Sequence, residues 1–303
     1  EPESSFPMGG VIMEFVLNFL LPVLQQGLVW GLVALGVWMT FRVVNVPDLT
    51  VDGTLTTGAA TAARLLTMGV HPVAATLAGF FTGAAGGAIT GLIHTRLRVQ
   101  PLLAGILTMI ALWSVNLRIM GRSNIALFTL ETLVPDNPWG KLALFAATAA
   151  LLVLLMNLFF RTELGLSLRA TGDNDGMVRM LGVSSDSMRL LAFTLSNGIV
   201  GLGGALVAQY SGFADAQMGI GTIVAALAAL IIGEALFGAP TVFRATISAL
   251  LGSIIYRTIF ALALRAGFQA SDLKLVTAAL VVLALSIPHI KRTVRLPEGS
   301  EAR

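Results

Sequence analysis

The longest polar stretch between apolar segments, RTELGLSLRATGDNDGMVRMLGVSSDSMR at 161–189, has the pattern of a loop with a short capped helix. Thr171 or Asp173 can cap such a helix, because their side chains can accept hydrogen bonds from N–H groups of its first turn. Gly182 can end it in a left-handed conformation. The predicted helix therefore runs from about 173 to 182.

This predicted helix is amphipathic. Met177, Met180 and Leu181 form one apolar face, with Asp175 and Arg179 beside it. Methionine adapts well to a partner's groove because it is flexible and polarizable. The helix either enters a groove on another protein or lies on lipid headgroups or on its own bundle, and the pattern does not decide between these.

A second polar segment, FRVVNVPDLTVDGTLTTG at 41–58, interrupts two apolar runs. Pro47 should break the first run, because proline lacks the N–H that a helix interior needs. Asp48 and Asp52 flank the break. Charged groups and irregular backbone at membrane depth are tolerated only inside protein or against water. The segment is either a broken helix near a solute path or a cytoplasmic turn with an aspartate helix cap.

The elements that carry these segments are predicted from the apolar runs. Hydrophobic residues make up 56% of the 303 residues and charged residues 12%, about half the charge of a soluble domain. A bilayer core needs roughly 20 apolar residues per helix. The sequence therefore predicts an all-α, polytopic transmembrane bundle of about nine spans, including the broken helix: 14–40, 49–67, 71–93, 101–119, 141–160, 189–210, 220–237, 243–264 and 272–289.

Basic residues set the predicted orientation, because short cytoplasmic loops are enriched in lysine and arginine. The N-terminus is predicted outside and the C-terminus in the cytoplasm. We expect residues 1–12 to be a tail or a non-native remnant, 13–290 the transmembrane domain with 161–189 as a cytoplasmic loop, and 291–303 a cytoplasmic tail. The basic residues on the predicted cytoplasmic side are Arg42, Arg96, Arg98, Arg161, Arg169, Arg179, Arg189, Lys291, Arg292 and Arg295.

Glycines recur at helical spacing in two of the predicted spans. Gly83, Gly87 and Gly91 lie in 71–93, and Gly201 and Gly204 lie in 189–210. Small residues let helix backbones approach closely in lipid. The stripes serve either static packing or a moving interface, and the two spans, which run in opposite directions, are consistent with an inverted repeat.

Several kinds of chemistry have no candidate residues. The chain has no cysteine and no G-x-x-x-x-G-K-[ST] nucleotide loop, its three histidines are dispersed, and a net charge of +3 does not suggest nucleic-acid binding. Amides inside the spans, among them Asn116, Asn197 and Gln209, line a path or join helices. A stand-alone ion-coupled carrier would need a buried charge pair, for which Glu234 and Arg257 are candidates, and a scaffold or sensor without transport is a third hypothesis.

Three stretches resemble permeases of ABC importers of the branched-chain amino acid and ribose class. They are VPDLTVDGTLTTGAA (46–60), LRATGDNDGMVRMLGV (168–183) and LSNGIVGLGGALVAQYSGFADAQMGIG (195–221). Within the class, LLAGILTMIALWSVNLRIMGR (102–122) and ASDLKLVTAAL (270–280) are most similar to permeases that accompany a tryptophan/tyrosine-type binding protein.

The resemblance implies a homodimer of permeases in a prokaryotic plasma membrane, a cytoplasmic ATPase dimer that binds ATP and Mg²⁺, and an external substrate-binding protein. No cofactor would bind to this chain. The implied solute is a small organic molecule, with an aromatic amino acid favoured. The implied coupling residues are Arg169, Asp173, Asp175, Met177, Arg179, Met180, Leu181 and Gly182. The resemblance does not assign the pathway, for which the candidates are Asp48, Asp52, Asn116, Asn197, Gln209, Tyr210 and Phe213.

Overall fold

The computed structural model describes residues 16–269, together with 272, 275, 277–279 and 282. The described chain is a bundle of helices with one small sheet. Its helices are α1 (Val16–Val43), α2 (Thr50–Thr67), α3 (Pro72–Leu97), α4 (Pro101–Met120), α5 (Pro138–Phe159), α6 (Glu163–Asp173), α7 (Asp175–Met180), α8 (Ser185–Ser211), α9 (Thr222–Phe237) and α10 (Val242–Arg265). Its strands are β1 (Asn124–Ala126) and β2 (Phe213–Asp215).

Six of the described helices, α1, α3, α4, α5, α8 and α10, are long and apolar enough to cross a membrane. The two other predicted spans in this region form α2 and α9, but α2 is too polar and α9 too short to count as a complete span. The predicted span 272–289 falls mostly outside the described residues, as do the predicted tails 1–12 and 291–303. The described residues therefore do not reach nine spans.

Large apolar side chains cover the outside of the bundle. Phe81 on α3, Leu103 on α4 and Leu151 on α5 are 68%, 50% and 55% exposed. Water would oppose such a surface, whereas lipid chains match it. This is a multi-pass membrane protein, as the composition predicts.

Proline and glycine mark many helix ends. Pro72, Pro101 and Pro138 occupy first-turn positions, where the missing N–H costs least. Gly121 and Gly212 end α4 and α8 in the left-handed conformation that glycine adopts without strain. The predicted break at Pro47 is confirmed, because α1 ends at Val43 and α2 begins at Thr50.

Helices α3 and α8 pack backbone to backbone. A Cβ on Gly87 would meet the Phe193 carbonyl, and a Cβ on Gly79 would lie 2.8 Å from the Ala205 Cβ. Earlier residues of α3 contact later residues of α8, so the two helices are antiparallel, as predicted. The glycine stripes are therefore sites of close helix approach.

The two strands correct the all-α prediction in detail. Strands β1 and β2 pair antiparallel, with Asn124 opposite Asp215 and Ala126 opposite Phe213. The pairing joins the segment after α4 to the segment after α8. The sequence around both strands gave no alternating pattern, because each strand is only three residues long.

Candidate functional site

The start of α2 is fixed inside the bundle by Asp48, which is fully buried. Its Oδ1 accepts a hydrogen bond from the Thr50 N–H at 2.9 Å, and its Oδ2 accepts one from Asn197 Nδ2 at 2.6 Å. The Thr54 hydroxyl donates to Asn197 Oδ1 at 2.7 Å. Because Asn197 lies in the middle of α8, the segment 44–49 folds back into the bundle before α2 begins.

Asp52 holds the beginning of α9. Its two carboxylate oxygens accept hydrogen bonds from the backbone N–H groups of Gly221 and Ile223, each at 2.9 Å. The first turn of a helix carries unpaired N–H groups and a partial positive charge, so a carboxylate is stabilised there. The Thr56 hydroxyl also accepts from the Gly219 N–H at 3.1 Å. Helix α9 consequently starts against α2, inside the bundle.

A cavity of about 350 Å³ lies where α2, α4 and the segment before α9 meet. Two predicted pathway residues, Asp52 and Asn116, line it. The sequence analysis missed the rest of its wall, although Met109, Trp113 and Asn116 have the spacing of one helix face. The residues that line the cavity are Asp52, Gly53, Thr56, Met109, Ile110, Trp113, Asn116, Ala216, Gln217 and Ile220.

The other predicted pathway residues lie elsewhere. Asp48 and Asn197 bind one another, as described above. Gln209 donates to the Thr76 hydroxyl at 2.8 Å and accepts from the Leu133 N–H at 2.8 Å, so it joins α3, α8 and the segment before α5. The Tyr210 ring packs against Phe145 with a centroid separation of 5.5 Å, and Phe213 belongs to β2. The structure therefore divides the candidates into cavity residues and helix-joining residues.

At the other end of the bundle, the segment 161–189 forms two helices where one was predicted. Asn174 separates α6 from α7, and its Oδ1 accepts from the Met177 N–H at 3.0 Å. The prediction that Thr171 or Asp173 caps the docking helix is wrong, because both belong to α6. Gly182 has a φ of 82°, which is the left-handed helix end predicted for it.

Helix α7 is anchored on one side and open on the other. Asp175 forms an ion pair with Arg179 at 2.9 Å within α7, and a second with Arg189 at 3.4 Å, which ties α7 to α8. A serine hydroxyl, followed by these two arginines, holds the pKa of the Asp175 carboxyl below its usual range. Val178 is buried at 3% exposure, whereas Met180 is 84% exposed. Helix α7 is thus held to the bundle on one side and presents its predicted apolar face on the other.

The open face of α7 consists of apolar side chains. Met177 is 55% exposed and Leu181, directly after the helix, is 70% exposed. Exposed apolar residues grouped on one rigid element are typical of a surface that contacts another molecule.

Helix α6 packs against the end of α1. A Cβ on Gly172 would run into the Val43 carbonyl, so the two backbones are in direct contact. A cavity of about 320 Å³ lies beside this contact, and Arg169 and Asp173 are among its lining residues. Helix α6 therefore lies against the last turn before the break at 44–49.

An ion pair joins the ends of α1 and α9 on this side. Arg42 and Glu234 are in direct contact, and both line the same cavity as Arg169. The suggested pairing of Glu234 with Arg257 is wrong. The Arg257 guanidinium lies over the Trp30 ring instead, 4.2 Å from its centroid, in a cation–π contact. The ion-coupled carrier hypothesis loses the charge pair on which it depended.

Predicted cytoplasmic arginines meet at this end of the bundle. Arg98 after α3 pairs with Asp186 in the first turn of α8 at 3.1 Å, and Arg42 lies beside α6.

Among the described residues, no group of three or more His, Cys, Asp or Glu side chains could hold a metal ion.

An apolar bundle with an interrupted helix pair, a cavity between its helices and an anchored loop at its basic end has the architecture of a multi-pass transport subunit. The model of the family described as "Branched-chain amino acid transport system / permease component" matches residues 19–285. This chain belongs to that family of ABC transporter permeases, and it is a transport component and not an enzyme. The resemblance drawn from the sequence is confirmed at this level.

Individual relatives agree with the family. A tyrosine transport system permease protein of Clostridioides difficile is 38% identical over 91% of this chain and 93% of its own length. An uncharacterised protein of Rickettsia prowazekii is 33% identical over 91% and 99%. An autoinducer 2 import system permease protein of Yersinia pseudotuberculosis is 30% identical over 73% and 64%.

A solved structure supports the fold. It is described as an inward-facing conformation of a putative metal-chelate type ABC transporter, and it matches with a TM-score of 0.53. The match covers 95% of this chain and 91% of the other at 16% identity. It therefore speaks for the helical arrangement alone.

Proposed function

We propose that this chain is the permease of an ATP-driven importer for amino acids, and that aromatic amino acids such as tyrosine are its preferred solutes. The family match over residues 19–285 carries the proposal. The similarity to a tyrosine transport system permease over most of both chains supports the solute class.

The proposed assembly has separate parts for energy, delivery and passage. Two copies of this chain form the passage, a cytoplasmic ATPase pair binds ATP and Mg²⁺, and an external binding protein delivers the solute. The assembly lies in the plasma membrane of a prokaryote. Residues 13–290 form the permease domain with nine spans, and the tail 291–303 is cytoplasmic. An inverted repeat relates 71–93 to 189–210.

Helix α7 is the proposed contact with the ATPase. Its exposed face of Met177, Met180 and Leu181 supports this role, and so does its attachment to α8, where Asp175 pairs with Arg189. A docked helix transmits force only if it is held to the rest of its own protein. Arg169 and Asp173 at the α6–α1 contact and Gly182 at the end of α7 complete the proposed coupling segment.

The solute path is proposed to pass the cavity beside Asp52 and Asn116. Asp48 and Asn197 would act on the path indirectly, because they fix where α2 begins. Gln209, Tyr210 and Phe213 are proposed to shape its outer end, since they lie at the end of α8 and in β2. Interrupted helices that meet inside a bundle are common where transporters bind their solutes.

Reconstitution tests the proposal. The chain is placed in proteoliposomes alone, with the ATPase, and with the ATPase and the binding protein, and uptake of labelled L-tyrosine is measured. We expect uptake only in the complete assembly and only with ATP. Uptake by the chain alone under an ion gradient would refute the proposal in favour of a secondary carrier.

A further inference from the structure

The cavity beside α4 contains a buried hydrogen-bond acceptor without a partner. Asn116 is 1% exposed, and its Nδ2 donates to the Gly53 carbonyl at 3.3 Å. Its Oδ1 has no hydrogen-bond partner among the described residues. This assignment of the amide is the consistent one, because a flipped amide would turn its oxygen toward the Gly53 carbonyl, placing two acceptors together.

An orphan acceptor of this kind is unfavourable. Leaving it unpaired destabilises the unoccupied protein, and a donor on an incoming molecule removes that cost. Asn116 lines a cavity of about 350 Å³, which is within the size range of small-molecule sites. The amide is therefore positioned to recognise a donor group on a ligand.

The remaining polar groups of this cavity also favour a cation. Asp52 carries a carboxylate whose oxygens retain free lone pairs after accepting one backbone hydrogen bond each. The described lining contains no lysine, arginine or histidine. A carboxylate on a ligand would find no opposite charge there, whereas an ammonium group would find Asp52 and Asn116.

The rest of the wall is apolar and aromatic. Met109, Ile110, Trp113 and Ile220 line the cavity. The face of an indole ring attracts a cation, and its area suits a flat apolar body. The wall and the polar groups together match a molecule that joins an ammonium group to an aromatic body.

We infer that this cavity is a binding site for aromatic primary amines, in which Asn116 Oδ1 and the Asp52 carboxylate receive the ammonium group. The inference rests on the proposed function, because it assigns the amino end of the solute to a site on the permease. It makes Asn116 a specificity-determining residue.

The test uses the full chain in nanodiscs without a binding protein, so that recognition by that protein cannot contribute. Tyramine, and 3-(4-hydroxyphenyl)propionate as its counterpart with a carboxylate and no amine, are titrated while tryptophan fluorescence is recorded. We expect tyramine to bind and the propionate to bind at least tenfold more weakly. Trp113→Phe should remove most of the fluorescence change. Equal binding of both compounds, or of neither, would overturn the inference without any variant.

Variants at Asn116 sharpen the test. Asn116→Leu should weaken tyramine binding by about 10- to 100-fold, since it removes a hydrogen bond to a charged group. Thr108→Val is the matched control, because Thr108 is buried on the same helix outside the cavity and bonds within its own helix. Unaltered binding by Asn116→Leu would overturn the inference.

The two proposals fail in different ways. If the complete assembly takes up L-tyrosine with ATP while tyramine and the propionate bind alike, the importer stands and the amine site falls. If no assembly takes up L-tyrosine with ATP, the proposed function falls, and the amine site falls with it as a solute site.

Discussion

Shortening the two most exposed apolar side chains of the α7 face should weaken binding of the proposed ATPase partner. Met180 and Leu181 are 84% and 70% exposed, so nearly their whole side chains are free to be buried by a partner. Replacing either by alanine removes three heavy atoms, worth about 2 kcal/mol at ~0.8 kcal/mol per buried group. Because effects of neighbouring residues in one interface are not additive, we expect about 3–4 kcal/mol for Met180→Ala with Leu181→Ala.

That loss corresponds to a roughly 100- to 1,000-fold weaker complex. The assay is the affinity of the purified ATPase for the permease in nanodiscs, followed by ATP-dependent L-tyrosine uptake. The permease itself should remain folded, because exposed substitutions change stability by only about 0.5 kcal/mol or less. Its thermal unfolding midpoint checks this.

Met68→Ala is the matched control. Met68 is 65% exposed and follows α2 at the end of the bundle opposite α7. The reasoning is refuted if the double variant binds the ATPase as tightly as the unaltered chain. It is equally refuted if Met68→Ala weakens binding as much as the double variant does.

Three further predictions concern the parts that hold α7 and α6. A serine hydroxyl and two arginines lower the pKa of Asp175, so its stabilisation of α7 is complete above about pH 4 and is lost as the pH falls through the depressed pKa. Hydrogen exchange of α7 amides should show this loss in the unaltered chain and not in Asp175→Asn. Arg42→Glu and Glu234→Arg should each lower the midpoint of thermal unfolding. The double variant should recover about 1 kcal/mol of the free energy of unfolding relative to the sum of the two single losses. Simple addition of the two losses would contradict the pairing. Gly172→Ala should lower the free energy of unfolding by about 1–3 kcal/mol, because the added methyl group meets the Val43 carbonyl. Gly176→Ala is the control and should not destabilise the protein, since only the Asn174 Oδ1 lies near the added methyl group, at 3.5 Å. Equal denaturant midpoints for the two variants would count against the α6–α1 contact.

Much of the helical framework could be predicted from local sequence. Pro101 and Pro138 begin helices, and Gly121 and Gly212 end them, because these residues restrict or free the backbone at their own positions. The prediction of where α7 begins was less accurate. Asn174 competed with two neighbouring candidate caps, and only the geometry of the chain decides which side chain reaches the free N–H.

The candidate site was predictable in part. Acidic and amide residues inside apolar runs marked Asp52 and Asn116 as polar groups that need partners inside the protein. Their partners could not be predicted, since Asp52 caps a helix that begins 169 to 171 residues later in the chain. The partner of Arg42 could not be predicted either, because Glu234 lies 192 residues later in the chain. Local patterns identify groups that need partners but not the partners.

The segment 44–49 lies between the two proposed functional regions. On one side, the last turn of α1 contacts α6 at Gly172 and holds the end of α9 through Arg42 and Glu234. On the other, it sets the start of α2, from which Asp52 holds the beginning of α9 beside the cavity. Helix α9 is thus held at both ends by residues that flank this one break.

A binding partner shifts the equilibrium between two conformations of a protein only through interactions that differ between them. In the proposed importer, an ATPase that moves α7 and α6 can therefore alter the cavity only through contacts of the permease that differ between its two conformations. The contact at the end of α9 lies beside the coupling helix α6, and the contact at its beginning lies beside the cavity wall. A second conformation of this permease should therefore differ from the present one in the Arg42–Glu234 pair, in the Asp52 cap, or in both.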